Sequence, residues 1–194
     1  MPIRLAVVLA MRARYPRRVG TMPAAPPKYR PAVPGIRIAA LEAPPAQHDA
    51  VLAGRHGAAL YRALRADVRL RFVAIGPASA AAALPSRAAD YECVREAGEP
   101  EGRGGVLLIT FLEVPAGEED RAVAARERVR EAWNACRGYL GTRLYRSLGE
   151  AEFRVVDVTR WSSPLMYARA LREPEVADAL AGPFAAHAAV YLPV

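Results

Sequence analysis

Residues 138–164, GYLGTRLYRSLGEAEFRVVDVTRWSSP, hold the most informative pattern in this sequence. Two short runs rich in β-forming side chains, 141–148 and 153–159, flank a Gly-Glu turn signal. The closing Ser-Ser-Pro is typical of a helix start, because a serine caps the first turn and a proline there needs no amide partner. The stretch therefore predicts a strand, a turn, a second strand and the beginning of a helix.

The residues before this stretch predict a strand followed by an amphipathic helix. Val106–Leu112 is a continuous apolar run that favours a central strand. A helix is predicted from about 118 to 136, with acidic residues in its first turn and Gly138 placed to end it in a left-handed conformation. Its predicted apolar stripe is Ala122, Ala125, Val129, Trp133 and Cys136. Its opposite face is predicted to carry Arg121, Arg126, Glu127, Arg130 and Glu131.

The residues after the stretch complete a familiar supersecondary arrangement. The helix is expected to run from Ser163 through Leu171, and a second helical piece is expected from Pro174 to about Leu180. Ala188–Leu192 predicts the last strand. The order β-α-β-β-α-β is the ferredoxin-like, split β-α-β plan, in which helices cover one face of an antiparallel sheet. The predicted fold class is therefore α+β.

A weaker copy of this pattern occurs earlier in the chain. The matching segments are Gly54–Leu64 with Gly138–Leu148 at a spacing of 84, Arg71–Ile75 with Arg154–Val158, and Ile38–Glu42 with Ile109–Glu113. In this copy the first helix is shorter, the second is interrupted at Leu84–Pro85, and the position of Trp161 is taken by Pro77 or Ala78. The alternative is chance similarity within a chain that is rich in alanine and arginine.

The sequence accordingly divides into four parts. They are a basic, proline-rich leader at 1–35 that we expect to be disordered, a degenerate ferredoxin-like copy at 36–96, a Gly/Pro linker at 97–104, and the well-patterned domain at 105–194. The exposed sheet face of a lone domain would be sticky, so a partner for it is expected. Two pairings stay open: tandem copies could form a pseudo-dimeric α/β barrel within one chain, or two chains could form a homodimer.

The excess of positive charge lies in the leader. The chain has 194 residues, a formal net charge of +7 and a sequence pI near 9.9. Residues 1–41 contain eight basic and no acidic side chains, whereas the remainder contains 19 basic and 20 acidic ones. The folded part is therefore close to neutral, and no nucleic-acid partner is expected, because such binding needs a basic face on the fold. The leader resembles a transit peptide or an over-extended gene start.

Other compositional signals point to a protein of a reducing compartment. Leu5–Ala10 is apolar but too short to cross a bilayer, so no membrane partner is expected. Cys93 and Cys136 do not make a disulfide framework, which favours a cytoplasmic location. The histidines His48, His56 and His187 are scattered, without the spacing of metal ligands.

Three segments in order, GYLGTRLYRSL, EFRVVDVTRWSSPLMYARAL and GPFAAHAAVYLPV, resemble the antibiotic biosynthesis monooxygenase family of dimeric α/β barrels. The resemblance covers about 105–194 and, more weakly, 36–96. It implies a cofactor-free oxygenase acting on an electron-rich aromatic, quinol- or anthrone-like small molecule. Relatives that degrade haem exist, so a flavin or haem is not excluded, although residues 165–180 contain no histidine for haem ligation. The alternative is a non-catalytic ligand-binding or structural barrel.

The resemblance also implies a set of candidate site residues: Trp161, Tyr167, Tyr145, His187 and Asp157. Trp161 and Tyr167 match family residues that line the pocket, the former with its indole N–H directed inward, and simple core packing is the alternative for both. Tyr145 stands where relatives often carry histidine. His187 has either a pocket role or a place at a strand edge.

The role expected for Asp157 depends on its partner. It falls near a family asparagine on the third strand of the domain. A buried carboxylate without a partner is costly. It is therefore expected either to pair with an arginine such as Arg146 or Arg154, or to be functional.

Overall fold

The structure, a computed structural model, describes residues 35–42, 45–47, 49, 51, 58–77, 87–100, 102 and 104–194. The predicted leader, apart from Gly35, lies outside the described residues, as do His48, His56 and the predicted helix break at Leu84–Pro85. The described strands are β1 (Ile36–Leu41), β2 (Ala59–Ala63), β3 (Phe72–Pro77), β4 (Arg87–Gly98), β5 (Val106–Glu113), β6 (Tyr139–Ser147), β7 (Val155–Trp161) and β8 (Ala185–Pro193). The described α-helices are α1 (Glu119–Asn134), α2 (Pro164–Ala170) and α3 (Pro174–Leu180), and a 3-10 helix covers Pro45–Gln47.

The capping residues in the sequence predict the ends of the helices to within a few residues. Gly138 follows α1 with φ of +92°, the left-handed conformation predicted for it. The Ser163 hydroxyl caps α2 by accepting a hydrogen bond from the Met166 amide at 3.3 Å. Helix α1 ends two residues earlier than predicted, and β8 begins three residues earlier than predicted. Strand β4 reaches Gly98, so it extends into the segment predicted to be a linker.

The eight strands close into one barrel in the order β1-β3-β2-β8-β5-β7-β6-β4. Each half of the chain contributes four consecutive strands, and both halves use the order fourth, first, third, second. The predicted β-α-β-β-α-β succession of the second half is confirmed. The halves meet along two seams, β2 against β8 and β6 against β4, and all strand pairs are antiparallel. The fold is α+β.

The register also repeats between the halves. Leu60 pairs with Ala74 on β2 and β3, and the matching Leu144 pairs with Asp157 on β6 and β7. The other strand pairs follow the same correspondence: Ile38 with Ile75 and Ile109 with Val158, Ile38 with Ala89 and Ile109 with Ala189, Tyr61 with Pro193 and Tyr145 with Cys93. Equivalent positions of the two halves therefore have equivalent neighbours.

Strand alternation separates the core into an interior and an outer layer. One apolar cluster takes side chains from all eight strands, so it fills the barrel; Val156 of β7 belongs to it. The alternate residues of β7, among them Asp157 and Trp161, point outward beneath the helices of the second half. A separate cluster there joins Trp133 of α1 to Trp161 and to Ala170 of α2. This outer layer contains the candidate site.

Candidate functional site

Four aromatic side chains meet between β6, β7, α1 and α2; we call Trp133, Tyr139, Trp161 and Tyr167 the aromatic cluster. The ring centroid of Trp161 lies 5.7 Å from that of Trp133, 5.8 Å from that of Tyr139 and 5.7 Å from that of Tyr167. The contacts with Trp133 and Tyr139 are edge-to-face, the arrangement that aromatic quadrupoles favour. Trp161 is 0% exposed, and because its ring contacts the other three it is the centre of the cluster.

Three polar atoms of the aromatic cluster are buried without a hydrogen-bond partner among the described residues. They are the indole Nε1 atoms of Trp133 and Trp161 and the hydroxyl of Tyr139. A buried donor left unpaired costs about 1–3 kcal/mol, so three in one cluster are unusual for a core that only packs. Burial raises the pKa of Tyr139 to about 12, which keeps its proton in place as a donor. Together the three groups could bind acceptor oxygens of a ligand.

A buried ionic network lies next to the aromatic cluster. Asp157 accepts hydrogen bonds at its Oδ2 atom from Arg126 Nε at 2.8 Å and Nη2 at 2.6 Å. Its Oδ1 atom accepts from the hydroxyls of Thr142 at 2.7 Å and Thr159 at 2.9 Å. Arg126 and Asp157 are only 6% and 4% exposed, so this ion pair is removed from water. Four donor atoms therefore surround this carboxylate, and each of its oxygens has two partners.

Arg126 joins the network to the aromatic cluster. Its guanidinium carbon lies 5.3 Å from the centroid of Trp133, a cation–π distance. Burial raises the pKa of Tyr167, and the nearby charge of Arg126 offsets part of that rise. The cation therefore lies over one ring of the cluster, Trp133, and is bound by Asp157.

A cavity of about 560 Å³ adjoins the aromatic cluster between the end of α1 and the α2–α3 pair. Five apolar residues line the cavity and also pack in the outer cluster around Trp161: Ala132, Cys136, Met166, Ala170 and Val176. Its rim is charged, with Glu131, Arg137, Arg169, Glu173 and Glu175. Trp161 and Tyr167 do not line it. Met166 lines this cavity and also packs in the outer cluster around Trp161. Its flexible thioether side chain is suited to change conformation between the cavity and the aromatic cluster.

The structure brings three of the five predicted site residues together. Trp161, Tyr167 and Asp157 lie in the outer layer under the helices. Tyr145 lies inside the barrel, paired with Val156, where burial raises the pKa of its hydroxyl to about 12. His187 also lies on the opposite side of the sheet from Trp161.

His187 occupies one end of the barrel. It pairs with Phe111, its ring packs 5.5 Å from that of Phe153, and its Nε2 atom lies 2.7 Å from a carboxylate oxygen of Glu113. It also lines a separate cavity of about 220 Å³ with Arg69. The geometry therefore gives neither Tyr145 nor His187 a contact with the aromatic cluster.

The prediction that Asp157 pairs with an arginine is confirmed, but Arg126 is its partner rather than Arg146 or Arg154. Arg146 instead binds Glu92 and Asp120, and Arg154 binds Glu119. The prediction that Arg126 lies on the face of α1 opposite the apolar stripe is wrong, since its side chain is buried with that stripe.

The sequence contained a signal for this placement. Ala122, Arg126, Val129 and Trp133 are spaced by four, three and four residues, so Arg126 belongs to the buried stripe. The contributions of Trp133, Tyr139, Thr142 and Thr159 to the site were also missed. The two threonines carry no signal of their own, because their role depends on which face of the sheet holds Asp157.

Three further findings concern metal ligands, membrane spans and cysteines. Within the described ranges, no group of three or more His, Cys, Asp or Glu side chains is placed to hold a metal ion. Among the helices that the structure describes, none is long and apolar enough to cross a membrane. Cys93 and Cys136 are both free thiols.

No protein-family model and no curated protein sequence matches the chain. Solved structures do match its fold. An anthrone oxidase-like protein superimposes with a TM-score of 0.61 at 13% identity, over 82% of this chain and 90% of that chain. A Listeria monocytogenes ferredoxin-fold protein related to antibiotic biosynthesis monooxygenases gives 0.51 at 12% identity, over 82% and 94%.

The chain has the fold of the antibiotic biosynthesis monooxygenase-like ferredoxin-fold proteins. The same fold is found in a major regulator of staphylococcal pathogenesis, which superimposes with a TM-score of 0.50 at 13% identity over 82% of this chain and 99% of that chain. Proteins of this fold thus carry different functions, so the fold alone does not determine what the site does.

Proposed function

We propose that this protein is a small oxygenase-like enzyme that oxidises an electron-rich aromatic compound of the quinol or anthrone kind without a bound cofactor. The site is the aromatic cluster together with the Arg126–Asp157 pair. The observation that carries the proposal is the presence of three unpaired buried donors beside a buried cation. Such a site costs stability in the empty protein, and a flat ligand rich in acceptor oxygens would recover that cost.

The chemistry needs little from the protein. An anthrone that loses a proton becomes an electron-rich enolate, which can pass one electron to dioxygen. Recombination of the two radicals at the ring carbon gives a hydroperoxide, and loss of water leaves a quinone, so one CH₂ group and one O₂ become C=O and H₂O. The protein has to bind the ring in a dry site and stabilise the anion, and the proposal assigns these tasks to Trp161, Tyr139 and Arg126.

The test measures oxygen consumption and quinone absorbance with a panel of anthrones and naphthoquinols. The wild-type protein should turn over at least one of them, and Trp161→Phe should lose about tenfold or more in kcat/KM, as expected for the loss of a hydrogen bond made in the transition state. Tyr91→Phe is the matched control, because it also removes one buried donor but lies inside the barrel. Absence of turnover across the panel, or equal rates in wild type and Trp161→Phe, contradicts the proposal.

A non-catalytic barrel is the second candidate, and the packing of Trp161 favours it. Trp161 and Tyr167 are in ring contact and the 560 Å³ cavity is not lined by either of them. In this case the cavity binds a ligand without turnover. Tight binding of a quinol, measured by quenching of tryptophan fluorescence, with no consumption of oxygen would select this candidate.

We further propose that the first half is a tandem copy of the second and that the two form an internal pseudo-dimer. The shared register supports it, as do two matching tyrosines. Tyr91 on β4 donates to the Phe153 carbonyl at 2.8 Å, and Tyr191 on β8 donates to the Leu70 carbonyl at 2.7 Å. Each tyrosine is on the fourth strand of one half and reaches the loop before the third strand of the other.

Charge at equivalent loop positions supports pairing within one chain. Arg69 and Glu152 occupy matching positions and form an ion pair at 3.2 Å. Two second halves paired with each other would place Glu152 against its own copy, which like charges disfavour. Sedimentation velocity should therefore show a monomer, and a stable dimer would contradict the internal pairing.

A further inference from the structure

The cavity of about 560 Å³ beside the end of α1 is a second space in the outer layer, and we call it the helix-end cavity. Neither Arg126 nor any ring of the aromatic cluster lines it. Its floor is apolar and is built from two sides, by Ala132 and Cys136 at the end of α1 and by Met166 and Val176 from α2 and α3. Pockets that bind small organic molecules have volumes of about 300–1,000 Å³, so this cavity has the size of a ligand site.

The charged side chains around the mouth of the helix-end cavity have no partner among the described residues. By contrast, Glu127 and Arg130 on the same helix form an ion pair at 2.8 Å. Neither an ion pair nor a side-chain hydrogen bond to a described residue is made by the five exposed charged residues of the rim, which are Glu131, Arg137, Arg169, Glu173 and Glu175. These charges are therefore available to a ligand.

The electrostatic field at the floor of the helix-end cavity is negative. Burial raises the pKa of the Cys136 thiol, and the negative charges of Glu173 and Glu175 raise it further. The end of α1 adds to this field, because the last carbonyls of a helix carry partial negative charge and the last turn of α1 has no basic side chain. At neutral pH the thiol stays protonated and is a poor nucleophile, so a ligand here is bound without a covalent bond.

The charge balance of the rim also favours a cation. Three carboxylates and two guanidinium groups give the rim a net charge of −1, from three negative and two positive side chains. Arg137 and Arg169 are both exposed, and such side chains keep their charged ends in water while their methylene groups cover apolar surface. The carboxylates that act on the floor therefore attract a bound cation more strongly than the two arginines repel it.

We propose that the helix-end cavity is a binding site for an organic cation, an ammonium group carried on an aromatic or aliphatic body. The body lies on the apolar floor, and the ammonium group lies toward Glu173 and Glu175. Both parts of such a ligand suit the site, since burial of the body is favourable and an ammonium group at the hydrated rim keeps its charge at little cost. The inference does not depend on the proposed oxidation, because none of the groups assigned to that reaction lines this cavity.

The test compares three naphthalene compounds that differ in charge: 1-naphthylmethylamine, which is protonated at neutral pH, 1-naphthylmethanol and 1-naphthylacetate. Isothermal titration calorimetry measures the binding of each compound to the full-length protein. The ammonium compound should bind about tenfold more tightly than the alcohol, and the acetate should bind more weakly than the alcohol. Raising the salt concentration from about 50 mM to about 500 mM should remove most of this difference, because the rim charges are exposed to solvent.

Cys136 reports whether the compound occupies this cavity. The chain has two cysteines, so in the variant Cys93→Ala the thiol of Cys136 is the only one. Its alkylation by neutral iodoacetamide, followed by mass spectrometry, should slow about sixfold at a concentration of 1-naphthylmethylamine about five times its Kd, because only the unoccupied fraction reacts. Unchanged alkylation in the presence of bound compound places the compound elsewhere and overturns the inference.

Two variants remove the carboxylates that attract the cation. Glu173→Gln and Glu175→Gln should each weaken binding of the ammonium compound about threefold and leave binding of the alcohol unchanged. The side chain of Glu173 makes no capping hydrogen bond at the start of α3, so its replacement by glutamine does not remove a helix cap. Glu150→Gln is the matched control, since Glu150 is an exposed acid in the loop between β6 and β7 and its replacement changes the net charge equally.

A cavity-filling variant tests the apolar part of the site. Ala135 lines the cavity and is exposed, so Ala135→Phe places a ring in the space without disturbing the core. All three naphthalene compounds should lose binding in this variant, while its thermal unfolding stays near that of the wild type. Undiminished binding by the folded variant overturns the site.

Two results would overturn the choice of a cation. Tighter binding of the acetate, lost in Arg169→Gln, would show that the cavity takes an anion. Equal affinity of the three compounds would show that only the apolar floor contributes. Anthrone oxidation is measured separately and does not use this cavity, so failure of the inference is distinguishable from failure of the proposed function.

Discussion

The two halves of the barrel share strand order and register but differ in the side chains of their outer layer. At the position of Asp157 the first half has Ala74, which is buried among apolar side chains. The matching positions for Thr159 and Thr142 are Gly76 and Ala58. The first half therefore has none of the polar groups of the ionic network at these three positions.

This difference shows that closure of the barrel and formation of the site depend on different residues of each strand. Closure of the barrel needs large apolar residues on the inner face of every strand, and both halves provide them, as with Tyr61 and Tyr145 or Val73 and Val156. The outer face needs only to be covered. A polar network there is costly unless fully paired, and among the described residues the second half has one at positions where the first half has alanine and glycine.

The largest expected effect comes from making the second half resemble the first at one position. Asp157→Ala would leave Arg126 buried and unpaired, and the free energy of unfolding should fall by about 3–5 kcal/mol in urea denaturation. Ala74→Ser is the matched control, because it changes the equivalent position of the first half. It should lower the free energy of unfolding by less than Asp157→Ala does. A loss of under about 1 kcal/mol for Asp157→Ala would show that the buried pair contributes little to the stability of the second half.

Gly138→Ala tests how closely Met166 of α2 packs against the turn that follows α1. An added Cβ would lie 2.5 Å from the Cβ of Met166, and φ of +92° is unfavourable for alanine. A loss of about 3 kcal/mol is expected from strain and overpacking together. Gly149→Ala has open space around it and should change stability by less than about 1 kcal/mol. Equal melting temperatures for the two variants would contradict the close approach of Met166.

Tyr91→Phe and Tyr191→Phe test whether the halves are equivalent in energy as well as in geometry. Each removes one buried hydrogen bond across a seam, at 2% and 1% exposure respectively. Each should cost about 1 kcal/mol, because the carbonyl that it leaves unpaired is buried. A difference above about 1 kcal/mol between the two would show that one seam contributes more to stability than the other.

Trp161→Phe should have the smallest effect on stability. It removes indole volume from the centre of the aromatic cluster, which is unfavourable, but it also removes an unpaired buried N–H, which is favourable. The two terms nearly cancel, and a change within about 1 kcal/mol is expected. A loss of several kcal/mol in thermal unfolding would mean that the indole N–H has a partner and is not reserved for a ligand.

Much of the second half could be read from its sequence. Periodicity and caps located α1, α2 and α3, since the signals at Ser163, Pro174 and Gly138 act through the local backbone. A repeat in the fourth strands, Ala88-Ala89-Asp90-Tyr91 and Ala188-Ala189-Val190-Tyr191, was also present but not recognised. It marks the pair of tyrosines that cross the seams, and four residues are too few to stand out in an alanine-rich chain.

The sequence by itself determined the order of elements, the fold class and the burial of Trp161, because these depend on residues close together in the chain. The tertiary structure alone decided that Asp157 pairs with Arg126, and that Tyr145 and His187 lie on the other side of the sheet from Trp161. Alternation shows which residues of one strand share a face. Which faces of different strands coincide is set by their hydrogen-bonded register and by the helix that packs on them.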